Sequence, residues 1–420
     1  MSSDAPKRLR VAIIGSGISG LVVAHRLHPH HDITIIEKGA YVGGHTNTVT
    51  VDDEGTERAV DTGFIVFNEK TYPNFCTLIE ELGVASKPTD MSFAVRCDRT
   101  GVEYSTASGG ALFAQKRNLV RPRFWGMLKD IASFGRHGSE MVTLEDSVSL
   151  EQYIRERGYG KEFVERYLLP LGSSLWSCAH ETFLSFPARF VADFLHNHGM
   201  FAFRDRPQWR VIQGGSKQYV RALTSPFEDR IRTNTAVSSV RRSETDVTVS
   251  FADGMTETFD EVVMACHADQ SLRLLDDPTR DEMEILPSFP YERNEAVLHT
   301  GTESVMPRRR NVWGAWNYRV PADETKRATV TYNMNHLQGF DSNRTFCVTL
   351  NDADQVPASD VLRRIEYHHP TYDHRRTWAQ SRHREVIRSH RTSFCGAYWG
   401  FGFHEDGVKS GLRVAEAFGL

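Results

Sequence analysis

Three glycines near the start of the chain have a spacing that suits phosphate binding. Gly15, Gly17 and Gly20 lie in the hexapeptide GSGISG. The first allows a tight turn, the second lets the backbone approach a pyrophosphate, and the third lets a helix pack closely on a strand. Glu37 follows about 20 residues later, where a carboxylate accepts hydrogen bonds from an adenosine ribose. The predicted dinucleotide site comprises Gly15, Ser16, Gly17, Ile18, Ser19, Gly20, Glu37 and Lys38.

The flanking residues predict the elements that hold these groups. Residues 10–15, RVAIIG, form a short apolar run that is typical of a buried parallel strand. The following LVVAHRLH has helical periodicity, and ITIIEK predicts a second strand that ends in the acid. This order is one βαβ unit, whose helix N-terminus offers free N–H groups to phosphates.

A second glycine pair follows the acid. Gly43-Gly44-His45-Thr46 is not needed for NAD, and it resembles the extended FAD signature of the amine oxidase and phytoene desaturase superfamily. In that signature Gly-Gly-Arg follows the acid, whereas this chain has His45 in place of the arginine. The segment VDTGF, with Gly63, also resembles the superfamily, whose chain passes close to the flavin at this point. The resemblance implies FAD as the cofactor.

The stretch SFCGAYWGFGFHEDGVKSG, residues 393–411, alternates glycines with aromatic residues. By the same resemblance it is the last strand of the FAD site, where glycine lets the backbone approach the flavin. We expect Asp406 to cap a helix that starts near Gly407, with its positive end towards the flavin N1–C2=O edge. The candidates here are Gly396, Asp406, Gly407 and Val408 for FAD, and Tyr398 and His404 for catalysis, as positioning or proton-handling groups.

The same stretch narrows the resemblance. Amine oxidases usually have Ala-Gly-Glu at this strand end, but this chain has Cys395-Gly396-Ala397, which looks more like phytoene desaturases. The motifs GGHTNTV, RPQW, GGSKQYV, YHHPTY and GAYWGFGFHEDG together are similar to predicted NAD/FAD-binding oxidoreductases associated with cyclopropane fatty acid synthases. That resemblance implies an apolar, acyl-lipid substrate and a lipid methyltransferase as partner.

Between residues 87 and 203 the periodicity is helical. It predicts a capping box over residues 149–152, a helix that ends at Pro170, and another helix over residues 187–199. A double glycine at 214–215, a strand over 231–242, an Asp253-Gly254 hairpin and a buried strand over 262–268 then return the chain to the nucleotide domain. By resemblance, Val237 of the 231–242 strand lies beside the adenine.

The predicted fold class is α/β. It has an FAD-binding Rossmann-like domain of the glutathione-reductase type and an α+β substrate domain with a mixed sheet and a helical insertion. The FAD-binding domain comprises residues 1–86, 206–286 and 387–420, and the substrate domain comprises residues 87–205 and 287–386. Aromatic residues of the last segment either line a pocket or form sheet core; they are Trp313, Trp316, Tyr318 and Tyr332.

Composition restricts the function further. The net charge of −4 gives no electrostatic case for nucleic acid. Six cysteines without CxxC spacing, no signal-peptide pattern and no bilayer-length apolar run predict a cytoplasmic protein with reduced thiols. Tyr367-His368-His369-Pro370 and His374 lack a carboxylate at ligand spacing, so we predict no metal site.

We expect oxidation or desaturation of an apolar, acyl-lipid substrate by hydride transfer to the flavin. Two alternatives stay open, namely amine oxidation with Tyr398 and Trp399 as part of an aromatic cage, and a non-catalytic FAD-binding partner of a lipid methyltransferase. Residues 116–134 are basic and then amphipathic, which favours an ordinary helix but also suits contact with anionic lipid. The apolar face of that segment comprises Phe124, Met127, Leu128, Ile131 and Phe134.

Overall fold

The computed structural model describes residues 8–176, 178–201, 207–323 and 329–420. The strands are β1 (Arg10–Ile14), β2 (Asp32–Ile36), β3 (Thr48–Asp53), β4 (Thr56–Asp61), β5 (Phe67–Asn68), β6 (Ser86–Pro88), β7 (Phe93–Cys97), β8 (Val102–Ser105), β9 (Trp209–Ile212), β10 (Ile231–Arg232), β11 (Val237–Arg242), β12 (Val247–Phe251), β13 (Thr256–Phe259), β14 (Glu261–Met264), β15 (Tyr291–His299), β16 (Trp316–Val320), β17 (Thr329–Asn333), β18 (Cys347–Leu350), β19 (Val361–Pro370) and β20 (Thr392–Phe394).

The α-helices are α1 (Ile18–Leu27), α2 (Pro73–Glu81), α3 (Gly109–Leu112), α4 (Pro122–His137), α5 (Leu150–Arg157), α6 (Lys161–Phe163), α7 (Leu169–Trp176), α8 (His180–Ser185), α9 (Ala188–Asn197), α10 (Lys217–Thr224), α11 (Ala268–Leu274), α12 (Arg280–Ile285), α13 (Met334–Gln338), α14 (Arg376–Ser381) and α15 (His404–Ala417). A 3₁₀ turn, Lys116–Val120, precedes α4, and a π-helical turn, Val164–Leu168, joins α6 to α7. Within the described ranges, no helix is both long enough and apolar enough to cross a bilayer.

A five-stranded parallel sheet has the order β10-β2-β1-β14-β20. Its inner strands β1, β2 and β14 are short, mainly apolar and mostly buried, as expected for a parallel sheet covered by helices. Helix α1 connects β1 to β2, so the structure contains the predicted βαβ unit. The carboxyl ends of β1, β2, β14 and β20 meet at one edge, which is where ligands bind in such sheets.

The strand predicted over residues 231–242 is two strands in two different sheets. Chain direction changes between β10 and β11, where Asn234 has a φ of +52°. Its N–H donates to the Gly39 carbonyl, and the Thr235 N–H donates to the Glu37 carbonyl. Strand β11 instead pairs with β12 and β13, which form the predicted hairpin at Asp253-Gly254.

A mixed seven-stranded sheet has the order β19-β15-β18-β17-β16-β7-β8, in which only the β16–β7 pair is parallel. This sheet, the parallel sheet and the helical insertion between β8 and β9 confirm the predicted α/β class. The division into five segments stays a prediction. Its boundary at 205/206, like Arg206 of the RPQW motif, lies outside the described residues.

The helix predicted to end at Pro170 continues to Trp176, so that prediction was wrong. Proline has no N–H and leaves the carbonyl four residues earlier, that of Arg166, without its helical donor. Here the Tyr104 hydroxyl donates to the Arg166 carbonyl. The predicted capping box is half formed, because Ser149 accepts the Gln152 N–H while the Gln152 side chain donates to Glu156.

Candidate functional site

One cavity of about 960 Å³ lies at the carboxyl ends of the parallel strands and extends to the mixed sheet. Most of the predicted site residues line it, namely Gly15, Ser16, Gly17, Ile18, Ser19, Glu37, Lys38, Gly43, Gly44, His45, Gly63, Val237, Gly396, Tyr398 and His404. The predicted residues outside its lining are Gly20, Thr46, Asp406, Gly407 and Val408.

The glycines of the first turn have different structural roles. Gly15 has a φ of +108°, and a Cβ there would lie 2.7 Å from the Ala265 carbonyl oxygen. At Gly20 a Cβ would lie 2.3 Å from the Gly15 carbonyl oxygen. Gly17, the N-cap of α1, has a φ of −68°, and a Cβ there would contact nothing within 4 Å. The first two are therefore needed for packing, whereas Gly17 faces open space at a helix N-terminus.

Glu37 connects this turn to the next segment. Its carboxylate accepts the Ser16 N–H at 3.0 Å, the Ser16 hydroxyl at 2.5 Å and the Gly39 N–H at 2.6 Å. The Gly43 N–H in turn donates to the Ser16 carbonyl at 3.0 Å. The acid thus lies at the cavity wall with its position set by the glycine turn.

The turn fits the pyrophosphate of a dinucleotide cofactor. Open space beside Gly17 at the N-terminus of α1 is where backbone N–H groups and the helix dipole attract an anion. A Cβ at Gly44 would lie 3.2 Å from the Gly17 Cα, so the two glycine segments are in close contact. The Nε2 atom of His45 is buried without a hydrogen-bond partner in the described part of the chain, which leaves a polar atom for a ligand.

Histidines from three segments gather around His45. Its ring stacks on Tyr367 at 4.9 Å and lies 5.2 Å from the His369 ring and 6.3 Å from the His267 ring. Burial lowers the pKa of His45 to about 4 and the pKa values of His267 and His369 to about 3. These three rings are therefore uncharged at neutral pH. His368 also lines the cavity.

His404 lies between the two sheets in a fixed orientation. Its ring stacks on Phe64 at 3.6 Å with an interplanar angle of 9°. A hydrogen bond of 2.8 Å joins its Nε2 to the Tyr219 hydroxyl, which also contacts the Thr46 hydroxyl. Burial lowers the pKa of His404 to about 3, so the ring is neutral and cannot act as a cationic acid at neutral pH.

Tyr398 is almost fully buried and follows the last parallel strand. Its ring packs against Phe289 at 4.9 Å, and a Cβ at Gly396 would lie 2.3 Å from the Tyr398 ring. Burial raises the pKa of Tyr398 well above 10, so the hydroxyl stays protonated. Trp399, its predicted companion in an aromatic cage, does not line the cavity and stacks on His383 at 3.9 Å.

The predicted cap of the last helix was wrong in detail. Helix α15 begins at His404, three residues before Gly407, so Asp406 is its third residue and not its N-cap. The Asp406 carboxylate accepts the N–H groups of Phe401 and Phe403, both at 3.0 Å. Because the N–H donors precede the helix, the carboxylate folds the glycine-rich turn back onto the helix start. Burial raises the pKa of Asp406 to about 6.

Glu405 was not predicted as a structural residue. Its buried carboxylate accepts the Asn74 side-chain N–H at 2.6 Å and the Phe75 N–H at 3.0 Å, at the start of α2. An acid at a helix N-terminus is stabilised by the free N–H groups there. The HEDG motif thus holds both the turn before α15, through Asp406, and the start of α2, through Glu405. Sequence spacing could not show that Glu405 binds a helix 330 residues earlier.

Two residues that position His404 were not predicted from the sequence. Tyr219 and Phe64 position His404, and only their places within the GGSKQYV and VDTGF motifs could have suggested them. Of the four aromatic residues left open between pocket and core, Trp316 and Tyr332 line the cavity, whereas Tyr318 and Trp313 do not. Among the described residues, no group of three or more His, Cys, Asp or Glu side chains is arranged to hold a metal ion.

The part of the cavity beyond the glycine turns is mostly apolar. The Asp, Glu, Lys and Arg residues that line the whole cavity, within the described ranges, are Glu37 and Lys38 at the glycine turn, and Asp90 and Arg273. Asp90 accepts the Ser92 N–H at 3.0 Å and also binds the Ser92 hydroxyl. Arg273 pairs with Asp269 at 2.8 Å. The apolar lining residues comprise Ile65, Val66, Met91, Phe93, Leu171, Leu175, Phe194, Met200, Trp209, Trp316 and Tyr332.

A family described as flavin containing amine oxidoreductase matches residues 18–306 of the chain. An L-amino-acid oxidase of Siganus canaliculatus is 23% identical over 306 residues, which are 68% of this chain and 54% of that protein. The chain therefore spans about half the length of this curated relative.

Two solved structures have a similar fold. A CLA-producing fatty acid isomerase from P. acnes has a TM-score of 0.71 at 15% identity, with 100% of both chains covered. Cyclohexylamine oxidase from Brevibacterium oxydans IH-35A has a TM-score of 0.68 at 14% identity, with 98% of both chains covered.

Proposed function

Because the chain belongs to the family of flavin containing amine oxidoreductases, we propose that it is an FAD-dependent oxidoreductase whose substrate is apolar. The observation that carries the substrate class is the apolar lining of the cavity beyond the glycine turns. Oxidation or desaturation of a C–H bond is the reaction that this combination supports. When bound, FAD supplies the two-electron acceptor for it.

The cofactor is held, in this proposal, by the residues whose chemistry matches its parts. The turn from Gly15 to Gly20 and the N-terminus of α1 receive the pyrophosphate, and Glu37 accepts the ribose hydroxyls. Val237 lies on the adenine side. Gly43 and Gly44, together with Gly63 and Gly396, allow the backbone to approach the cofactor closely.

An amine substrate fits the cavity less well than an apolar one. A protonated amine needs a free carboxylate or an aromatic cage. The carboxylates in the described lining are Glu37, which is held in the glycine turn, and Asp90, which binds Ser92. Trp399 of the expected cage lies outside the lining. The family includes amine oxidation, so an amine remains the competing substrate class in the test below.

Acyl lipid is the apolar class that we favour. The motif set resembles the oxidoreductases associated with cyclopropane fatty acid synthases, and a fatty acid isomerase is among the proteins with a similar fold. A lipid methyltransferase as partner and a cytoplasmic location belong to the same proposal. The location is supported by six cysteines in the reduced state, of which four are buried.

His404 and Tyr398 act, in this proposal, by position. His404 is neutral and fixed by Phe64 and Tyr219, so it orients groups by hydrogen bonding and not by charge. Tyr398 keeps its proton and presents an apolar ring at the cavity wall. The apolar side chains around them exclude water from the reacting C–H bond.

The test is anaerobic reduction of the FAD-loaded protein. We expect its visible flavin absorbance to bleach with a monounsaturated acyl lipid and not with cyclohexylamine or an L-amino acid. If only an amine bleaches the flavin, the acyl-lipid assignment is refuted, but the assignment as an FAD-dependent oxidoreductase stands. Failure of every substrate class to bleach a fully loaded protein would favour the non-catalytic FAD-binding partner.

A further inference from the structure

Three large apolar side chains stand together on the surface at the start of α4. Val120 is 81% exposed, and Leu119 and Trp125 are each 50% exposed. The Trp125 indole N–H donates to the Leu119 carbonyl at 2.9 Å, and the Trp125 ring packs against Phe113 at 5.6 Å. These contacts hold the Trp125 side chain against the backbone of Leu119. We call Leu119, Val120 and Trp125 the apolar knob.

The knob is not the amphipathic face that the sequence indicated. Phe124, Met127 and Phe134 of that face are buried in the protein, and Leu128 and Ile131 are packed against its cores. Core packing therefore accounts for that face completely. Core packing does not account for the knob. Its apolar surface stays exposed to water, which costs about 25 cal/mol of free energy per Å².

Basic residues are concentrated in the segment that carries the knob, and one of them, Arg123, lies 3.8 Å from Glu162. Residues 116–129, KRNLVRPRFWGMLK, contain five cations and no carboxylate. Lys116, Arg117, Arg123 and Lys129 are exposed. Exposed apolar residues without a binding partner give no reason for nearby cations. A surface that binds an anionic layer does, because the cations attract it.

A second basic run lies against the same part of the fold. Residues 308–310 are three exposed arginines. Glu103 links the two segments, because its carboxylate accepts the Arg308 N–H at 3.0 Å and its own N–H donates to the Gln115 side chain at 3.1 Å. The 308–310 run is thus held near the start of the 116–129 segment, where Arg308 also lies 3.6 Å from Asp98. The two segments concentrate cations on one part of a chain whose net charge is −4.

We propose that this surface docks on a lipid bilayer that contains anionic lipids. Tryptophan prefers the membrane–water interface, valine and leucine insert below it, and lysine and arginine bind the headgroups. Thr106 and Ala107 line the cavity and lead through α3 to Phe113, against which Trp125 packs. The docking surface is therefore connected to the cavity wall through residues 107–113. The proposal does not depend on which substrate the enzyme oxidises.

The apolar knob distinguishes a bilayer from other polyanions. A nucleic acid or an acidic protein would use the cations but would gain little from Val120, because neither offers a hydrocarbon layer beneath its charges. Binding to a bilayer needs both features. Replacing the apolar side chains of the knob should therefore weaken binding to the bilayer, and so should replacing the basic side chains.

The experiment is sedimentation of the FAD-loaded protein with vesicles. One set is phosphatidylcholine, and the other is phosphatidylcholine with about one third phosphatidylglycerol, a composition that gives a negative surface potential. We expect binding to the anionic vesicles that weakens as salt is added, and at least about ten-fold weaker binding to phosphatidylcholine alone. Equal binding to both vesicle types, or to neither, would overturn the proposal.

Two variants isolate the contributions. Leu119→Ser with Val120→Ser should lower binding at least about five-fold, because the knob loses its hydrocarbon. Arg123→Gln with Lys129→Gln should lower it about 25-fold, at about five-fold per cation. The matched control is the double variant Met255→Ser with Met283→Ser. These two side chains are also at least half exposed but lie outside the knob segment, so the control should bind vesicles like the wild type.

Folding and the rival partner are checked on the same samples. All changed positions are at the surface, so thermal unfolding and FAD content should match the wild type. The result that refutes the knob's role is wild-type vesicle binding by the double-serine variant. An oligonucleotide bound as tightly as the anionic vesicles, and unaffected by the double-serine change, would assign the surface to a nucleic acid and overturn the proposal.

Discussion

Gly17→Val should abolish tight FAD binding without unfolding the protein. The φ of −68° at Gly17 is accessible to any residue, and a Cβ there contacts nothing within 4 Å. The new side chain therefore occupies the open space at the N-terminus of α1, where we place the pyrophosphate. As an N-cap, valine is poorer than glycine, so we expect a stability cost of about 1 kcal/mol in the cofactor-free protein.

The loss of affinity follows from the bonds that the displaced phosphate cannot make. A hydrogen bond from a backbone N–H to a charged group contributes about 1.5–3 kcal/mol. Loss of one such bond weakens FAD binding about ten-fold to about a hundred-fold, and loss of two weakens it further. Calorimetric titration of the cofactor-free protein with FAD measures this change, and thermal unfolding measures the stability.

Two other glycines supply controls for this prediction. Gly126→Val, on the exposed side of α4, also adds a side chain into open space and should leave FAD affinity unchanged. Gly20→Val should instead prevent folding, because its Cβ would lie 2.3 Å from the Gly15 carbonyl oxygen. A folded Gly17→Val protein with wild-type FAD affinity would show that the phosphates lie elsewhere.

Three further predictions concern the same site. Glu37→Ala should weaken FAD binding by about 1.5–3 kcal/mol, because ribose hydrogen bonds to a carboxylate are lost; tight binding of NADP in titrations of the wild type would contradict the assignment. The cofactor-free protein should lose stability as the pH falls from about 6.5 towards 4, because His45 and His267 have folded pKa values of about 4 and 3 and cannot take the protons that the unfolded chain binds. Each costs up to about 1.4 kcal/mol per pH unit, and Asp61, whose pKa burial raises to about 6, opposes them; thermal unfolding of His267→Asn should show a flatter pH profile, and an unchanged profile would be the contrary result. Asp406→Ala should keep FAD bound, lower stability by about 1–3 kcal/mol through the lost carboxylate bonds, and shift the midpoint potential of the bound FAD; an unchanged potential in a redox titration would leave Asp406 as a purely structural residue.

The sequence was sufficient for the parts of the site that depend on local geometry. The glycine turn, its strands and its helix are encoded within 28 residues, and the glycines and Glu37 each have a steric or electrostatic reason for their positions. The hairpin at Asp253-Gly254 was predictable for the same reason. In such segments a short stretch of chain determines its own conformation.

The errors arose where distant segments determine the structure. Pro170 does not end its helix because Tyr104, from another element, satisfies the freed Arg166 carbonyl. Asp406 is not an N-cap because the turn before it folds back, so that the N–H groups of Phe401 and Phe403 donate to its carboxylate. The contacts of His404 with Phe64 and Tyr219 likewise join three separate parts of the chain. Periodicity carries no information about such contacts.

The central parallel sheet has a consequence for how the protein is made. Strand β1 lies beside β14, and β14 lies beside β20, so neighbours in this sheet are about 250 and about 130 residues apart in sequence. Helix α15 then packs on α1, with Gly411 against Ser19 and Val22. The phosphate-binding turn is synthesised well before β14, β20 and α15, which support it in the folded protein. A nascent chain therefore carries an incomplete nucleotide site until β14, β20 and α15 have been synthesised, and the exposed edges of β1 and β14 need protection from aggregation during that time.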